Sequence, residues 1–290
     1  MSQNVGVREL LEAGSHFGHQ VSRWNPKMRP YIFASKGGIH ILDLQQTVNQ
    51  LKTACDFVTK VTALGGSVLF VATKRQAQAI VQEEAKRAGQ FFVTTRWLGG
   101  MLTNFRTIRA SIDRLKSMRE SMKTESFAKR KKKERLQIEK EVLKLESVLS
   151  GIQDMPGVPS VVFVIDPNRE TIAVNEARKL KIPLVALVDT NCNPDPIDYV
   201  VAANDDAVRS IQIIAQAVAD AALEGVSRRQ TALGSEPAVK GVQEESAPVV
   251  GGEHDVKGKG KAYIGGRKGV IEGASKEDLE QFASVNVQKE

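Results

Sequence analysis

Ser67-Val68-Leu69-Phe70-Val71-Ala72 is an unbroken apolar run, preceded by Gly65-Gly66 and followed by Thr73-Lys74-Arg75-Gln76. It is too short for a helix and shows no alternation, the pattern of a strand buried on both faces. Two further runs read the same way, Ser160-Val161-Val162-Phe163-Val164-Ile165 and Pro183-Leu184-Val185-Ala186-Leu187-Val188. Phe91-Phe92-Val93 and Tyr199-Val200-Val201 give shorter strands. Helical patterns lie between them: from Asp43, as N-cap, to about Thr62, from Arg75 to Ala88, after Asp166-Pro167 through Ala177, and from Asp206 to Leu223. Strand–helix alternation with two-sided apolar strands predicts an α/β fold of three layers, a parallel sheet between helices. Its crossovers are right-handed by rule. At the front, residues 4–14 read as a short helix with Asn4 as N-cap and Gly14 as stop. A loop then runs from Ser15 to Pro30, and a hairpin joins Tyr31-Ile32-Phe33 to Ile39-His40-Ile41.

One segment interrupts the alternation. Apolar residues recur at Phe105, Ile108, Ile112, Leu115 and Met118, and again at Ile138, Val142, Leu145, Leu149 and Ile152. Steps of three and four mark helices with a single sticky stripe. Between the two series stands Lys129-Arg130-Lys131-Lys132-Lys133, five adjacent cations that cannot enter a core. Two helices joined near residues 123–133 therefore zip into a projecting hairpin, an arm that a particle component needs more than an enzyme does.

The domain reading follows: a core from 1–104 and 151–226, an inserted basic coiled-coil hairpin at 105–150, and a tail at 227–290. In the tail Glu236, Pro237, Glu244, Glu245, Ser246 and Pro248 show no periodicity, and Lys257-Gly258-Lys259-Gly260-Lys261 alternates charge with glycine. Such text predicts disorder, with one short helix at Ser275 to Phe282. A hydrophobic fraction of 41% supports a folded core for the rest. Residues 1–229 carry 33 Lys and Arg against 24 Asp and Glu, and the hairpin alone carries 14 against 7. That field favours a polyanion. No apolar run approaches the ~20 residues that span a bilayer, and the N-terminus lacks a signal pattern, so the expectation is a cytoplasmic protein. Cys55 and Cys192 make no disulfide framework. His16 and His19 could share a helix face, but Gly14 and Gly18 break it, so no metal site is expected.

In open α/β sheets ligands bind beyond the carboxyl ends of the strands. There, Thr73-Lys74-Arg75-Gln76 stands where a dinucleotide binder places glycines. Lys74 and Arg75 at a helix N-terminus attract the phosphate of an outside polymer, or else are solvated surface charge. Asp166 and Asp189 end neighbouring strands; without a nucleophile beside them they read as turn and capping chemistry rather than a catalytic pair. Arg23-Trp24-Asn25-Pro26-Lys27 and Arg96-Trp97-Leu98 each pair a cation with an indole. Arginine forks onto phosphate and tryptophan stacks on an unpaired base; the plainer reading, stronger for Trp97, closes the edge of the core.

Taken together, these segments resemble the bacterial small-subunit ribosomal protein S2 family, over residues 1 to about 226. The resemblance rests on Leu11 to His19, Arg23 to Met28, Gly38 to Leu44 and Arg96-Trp97-Leu98-Gly99-Gly100-Met101-Leu102-Thr103-Asn104, and on Pro159 to Pro183 with Asp166-Pro167 and Glu176. It implies a flavodoxin-like parallel sheet with an inserted antiparallel coiled-coil hairpin, and a structural constituent of the small subunit that binds small-subunit rRNA. It also implies neighbouring ribosomal proteins as partners, including the multi-OB-fold protein that recruits mRNA, with no cofactor and no membrane. The expected RNA-facing residues are His16, His19, Arg23, Trp24, Asn25, Lys27, Lys74, Arg75, Arg96, Thr103, Asn104 and Arg106. The alternatives are a nucleotide-dependent enzyme on the same sheet, which would need a phosphate loop and a catalytic group, and a protein-interaction scaffold using the hairpin and tail.

Overall fold

In the computed structural model the described residues are 5–124, 127 and 129–234. Five strands, β4 (Val68–Val71), β5 (Phe91–Val93), β6 (Val161–Ile165), β7 (Leu184–Val188) and β8 (Tyr199–Ala202), form one sheet in the order β5-β4-β6-β7-β8. Every pairing is parallel, with Phe70 opposite Phe92 and Phe163, and Val164 opposite Ala186. Because successive side chains point to opposite faces, each apolar run feeds two cores. Val68, Phe70, Phe163 and Leu187 pack with α2 (Leu44–Ala63), α3 (Arg75–Arg87) and α7 (Val208–Gly234). Leu69, Val71, Val164 and Ala186 pack with Ala173 and Ala177 of α6 (Thr171–Lys179) and with Trp97, Met101 and Leu102. The chain is a mixed α/β fold with helices packed on a parallel sheet.

A second sheet, β1-β3-β2, is antiparallel and built from β1 (Phe17–Gln20), β2 (Ile32–Lys36) and β3 (Ile39–Leu42). Its first strand corrects the expected loop from Ser15 to Pro30, which also holds 3-10 turns at Val21–Arg23 and Pro26–Tyr31. Local propensity gives no hint of β1, because distant partners fix it: Leu42 donates its N–H to the His16 carbonyl and His19 donates its N–H to Thr190 Oγ1. The first helix, α1 (Val7–Glu12), starts later than expected, with Gly6 as N-cap and its N–H on Glu9 Oε2 at 3.1 Å. The expected cap, Asn4, lies outside the described residues. Asp43 caps α2 as expected, accepting from the N–H groups of Gln45 and Gln46.

The closing helix is longer than expected, since α7 continues to Gly234 rather than ending at Leu223. Gly225, inside this helix, is a contact residue: a Cβ there would collide with Thr62 Oγ1 and the Thr59 carbonyl of α2. Beyond it Arg228 pairs with Glu224 one turn back, and the Arg229 guanidinium covers Gly65 at the end of α2. Residues 235–290, with the expected disorder and the helix at Ser275 to Phe282, lie outside the described residues.

The insertion folds as α4 (Phe105–Met122) and α5 (Lys132–Leu149). Ile108, Ile112, Leu115, Val142, Leu149 and Ile152 are buried, and Phe105, Met118, Ile138 and Leu145 pack against them. All belong to the core cluster that contains Trp97 and Val71, so the stripe runs unbroken into the sheet. Arg114 pairs with Glu141 at 2.5 Å, and Arg119 with Glu146. Lys129 to Lys133 are exposed.

Candidate nucleic-acid interface

All five strands of a parallel sheet end on one side, and the candidate residues gather there because the loops leaving β4, β5 and β7 carry them. Lys74 and Arg75 follow β4, Arg96 to Arg106 follow β5, and Thr190 after β7 receives the 16–27 segment. Asn25 donates its N–H to the Thr190 carbonyl at 2.8 Å, and Gly18 sits so close to the Thr190 side chain that a Cβ would lie 2.5 Å from Cγ2.

At the centre is a buried ionic network. Lys74 Nζ lies 2.7 Å from Asp205 Oδ1, 2.6 Å from Asp206 Oδ1 and 3.9 Å from Asp166 Oδ2. Burial disfavours its charge, but hydrogen bonds to Asp205 and Asp206 outweigh that and raise its pKa. Burial pushes Asp205 well above the usual carboxylate range, the charges of Asp189 and Asp166 add to this, and Lys74 opposes it. Lys74 was expected to meet an external phosphate. Instead its ammonium is committed to these carboxylates, and a phosphate placed there would face Asp166, Asp205 and Asp206. The neighbouring Glu170 is also buried, accepting from the Thr73 N–H and hydroxyl.

His19 joins the same network. Its Nδ1 is 3.0 Å from Asp189 Oδ2 and its Nε2 is 3.5 Å from Asp206 Oδ2. The hydrogen bond to Asp189 raises its pKa, against partial burial, with Asp205 and Asp206 adding further attraction. His16 stays apart, its ring 3.9 Å from that of Phe17, and burial lowers its pKa. The two histidines thus lie in different surroundings. One ligand atom each from His19, Asp205 and Asp206 does fall within 4.8 Å of the others, as for Asp166, Cys192 and Asp205, so these donors could hold a small divalent cation. Both cysteines are free thiols. Cys192 is buried against Asp166, and burial raises its pKa strongly.

The second arm of the site is the loop from β5 to α4. Trp97 is buried and donates its indole N–H to Glu176 Oε1 at 3.1 Å. Glu176 also accepts from the N–H groups of Gly100 (2.7 Å), Leu102 (3.0 Å) and Thr103 (3.0 Å), and from the Thr103 hydroxyl (3.0 Å). Burial works against its ionisation, yet these donors prevail and lower its pKa. On either side Arg96, Thr103, Asn104 and Arg106 are exposed. Across the edge Trp24 is half-buried with its ring 5.0 Å from that of His40, while Lys27 pairs with Asp195. Among the described residues Arg23, Arg75, Arg96 and Arg106 are exposed and make no ion pair.

Sequence reasoning missed Asp205, Asp206 and Thr190 as members of this edge. It met Glu176 only through a resemblance. One signal was present for Glu176, which stands between Ala173 and Ala177 on the buried face of α6. A carboxylate in an apolar stripe demands partners.

The ribosomal protein S2 family profile matches residues 10–225. Small ribosomal subunit protein uS2 of Sorangium cellulosum is 51% identical over 263 residues, covering 91% of each chain. The uS2 protein of Desulfatibacillum aliphaticivorans is 56% identical over 221 residues, 76% of this chain and 75% of its own. That of Chloroflexus aurantiacus is 53% identical over 226 residues, 78% of this chain and 95% of its own.

Proposed function

We propose, from the premise that this chain belongs to the ribosomal protein S2 family, that it is a structural constituent of the small ribosomal subunit and binds small-subunit rRNA through the carboxyl edge of its sheet. It is a ribosomal protein and not an enzyme. The observation that carries the reading of the surface is the set of exposed, unpaired guanidinium groups at Arg23, Arg75, Arg96 and Arg106 around that edge. A guanidinium held by no internal carboxylate is free to fork onto phosphate.

Around these cations, His16, His19, Trp24, Asn25, Lys27, Thr103 and Asn104 complete the RNA-facing set, and Lys74 supports it from behind by neutralising the buried carboxylates. The strand order supports a flavodoxin-like core: counted from the first parallel strand it is 2-1-3-4-5. The core takes 1–104 and 151–226, and α4 with α5 forms the antiparallel coiled-coil hairpin of 105–150, whose basic tip extends the cationic surface. The partners are rRNA and neighbouring ribosomal proteins, and the multi-OB-fold mRNA-recruiting protein docks on the same particle. Among the described residues no helix is long and apolar enough to cross a membrane.

The test is sedimentation of the tagged full chain from a lysate at low and high salt. Co-migration with small subunits, lost as salt rises, is the expected result. Replacing Arg96 and Arg106 together by alanine lowers incorporation while the melting temperature holds; incorporation equal to wild type removes those two residues from the interface.

A further inference from the structure

We infer that Glu176 is the positioning residue of the RNA-facing loop: its buried carboxylate fixes the backbone from Trp97 to Thr103 and thereby sets where Arg96 and Arg106 stand. The inference rests on the reading that those two arginines face rRNA.

An ionised carboxylate offers about four lone-pair positions, and five donors converge on this one. Four of the five come from a loop separated from Glu176 by 73 to 79 residues in sequence as backbone N–H groups or the indole, and the fifth is the Thr103 hydroxyl. Between Val93 and Phe105 the loop has no strand or helix ladder; Met101 and Asn104 donate within it, to the Leu98 and Gly100 carbonyls, and the N–H groups of Gly100, Leu102 and Thr103 need a partner from another element. Glu176 supplies that satisfaction from α6, an element packed on the sheet. It plays for the loop the role that a ladder plays for a strand.

The geometry ties both flanks. Oε1 takes Trp97, the residue next to Arg96, together with Gly100; Oε2 takes Leu102 and both donors of Thr103, which precedes Asn104 at the start of α4. One carboxylate thus holds the two ends of the loop in a single arrangement. Binding to a rigid phosphate backbone gains from such preorganisation, because long cationic side chains on a wandering loop lose affinity to ordering. Glu176 itself is 8% exposed, its carboxylate turned to the loop. Its effect on binding is exerted through the loop.

The experiment compares rRNA affinity across a salt series for full-length wild type, Glu176→Gln, the Arg96→Ala/Arg106→Ala pair, and the triple variant. Glutamine keeps the shape but offers one acceptor oxygen and turns an N–H donor pair toward backbone N–H groups. The expected results are a loss of about tenfold in affinity for Glu176→Gln and a salt slope reduced by about one to two units, since each lost phosphate contact removes roughly 0.7–0.9. In the arginine-free background the same change should cost less than twofold, the non-additivity of groups acting as one unit. A purely structural pin would lower the melting temperature and leave the slope alone. Wild-type affinity and slope for Glu176→Gln, or an equal loss in both backgrounds, overturns the inference. Wild-type binding by the arginine pair overturns the RNA-facing reading instead and takes the inference with it. Should Glu176→Gln fail to fold, Trp97→Phe removes one buried donor and keeps the ring. It is expected to weaken binding in the same direction by a smaller factor, and an unchanged slope there overturns the inference.

Discussion

The Lys74 ammonium lies 2.7 Å from the carboxylate of Asp205, whose side chain has no exposure to solvent. Two charges removed from water are tolerable only together, and cutting one partner leaves the other buried and uncompensated; such losses cost about 3–5 kcal/mol. Lys74→Met should therefore destabilise the protein by an amount in that range in urea denaturation. Adding Asp205→Asn to it should recover part of the loss. An unaltered unfolding midpoint for Lys74→Met would contradict the buried pairing.

The same edge makes stability pH-dependent. His19 has its pKa raised first by the hydrogen bond to Asp189. A group whose folded pKa exceeds its unfolded value stabilises fully below the unfolded pKa, about 6.5 for histidine, and loses that contribution as pH climbs through the folded value. Asp205, raised by burial, acts in the same sense from the carboxylate range upward. The melting temperature should fall as pH rises through about 6.5 and beyond, and His19→Gln should flatten part of that fall. Parallel curves for the two proteins would show that His19 does not contribute.

What could be read from the chain and what could not divide along a physical line. Val68 to Val71, Val161 to Ile165 and Leu184 to Val188 announce themselves, because two-sided burial leaves no position for a polar residue. The stripes of α4 and α5 do so as well, since a helix needs one apolar face to pack. The partners of Lys74 and Glu176 were hidden: Asp205 is 131 residues from Lys74 and the Trp97 indole 79 from Glu176. Only the crossovers of the sheet bring them together, and no local pattern encodes a crossover's landing point.

The apolar stripes of α4 and α5 are rooted in the core, so they should not behave as an autonomous coil. Ile112 is fully buried in the cluster that includes Trp97 and Met101. Truncating it to alanine should cost about 2–5 kcal/mol and lower the single cooperative transition of the whole domain. Leu143, 65% exposed on α5, should change stability by no more than about 0.5 kcal/mol when truncated. Separate early melting of a helical fraction in Ile112→Ala, with the main transition unmoved, would make 105–150 an independent unit.

The docking of β1 on the carboxyl edge hangs on the absence of one methyl group. At Gly18 a Cβ would meet Thr190 Cγ2 at 2.5 Å and Oγ1 at 2.7 Å, while that same hydroxyl accepts the neighbouring His19 N–H at 2.8 Å. Gly18→Ala forces one side to yield, at a cost typical of overpacking, about 1–3 kcal/mol. The strain should also pull His19 from Asp189, so the variant should lose part of the pH dependence as well as stability. Thr190→Ser removes the nearer atom and keeps the acceptor. Combined with Gly18→Ala it should restore stability beyond the sum of the two single changes, since the pair shares one contact. Strict additivity in that double-mutant cycle would mean that Gly18 serves the loop's own backbone and not the seat beneath it.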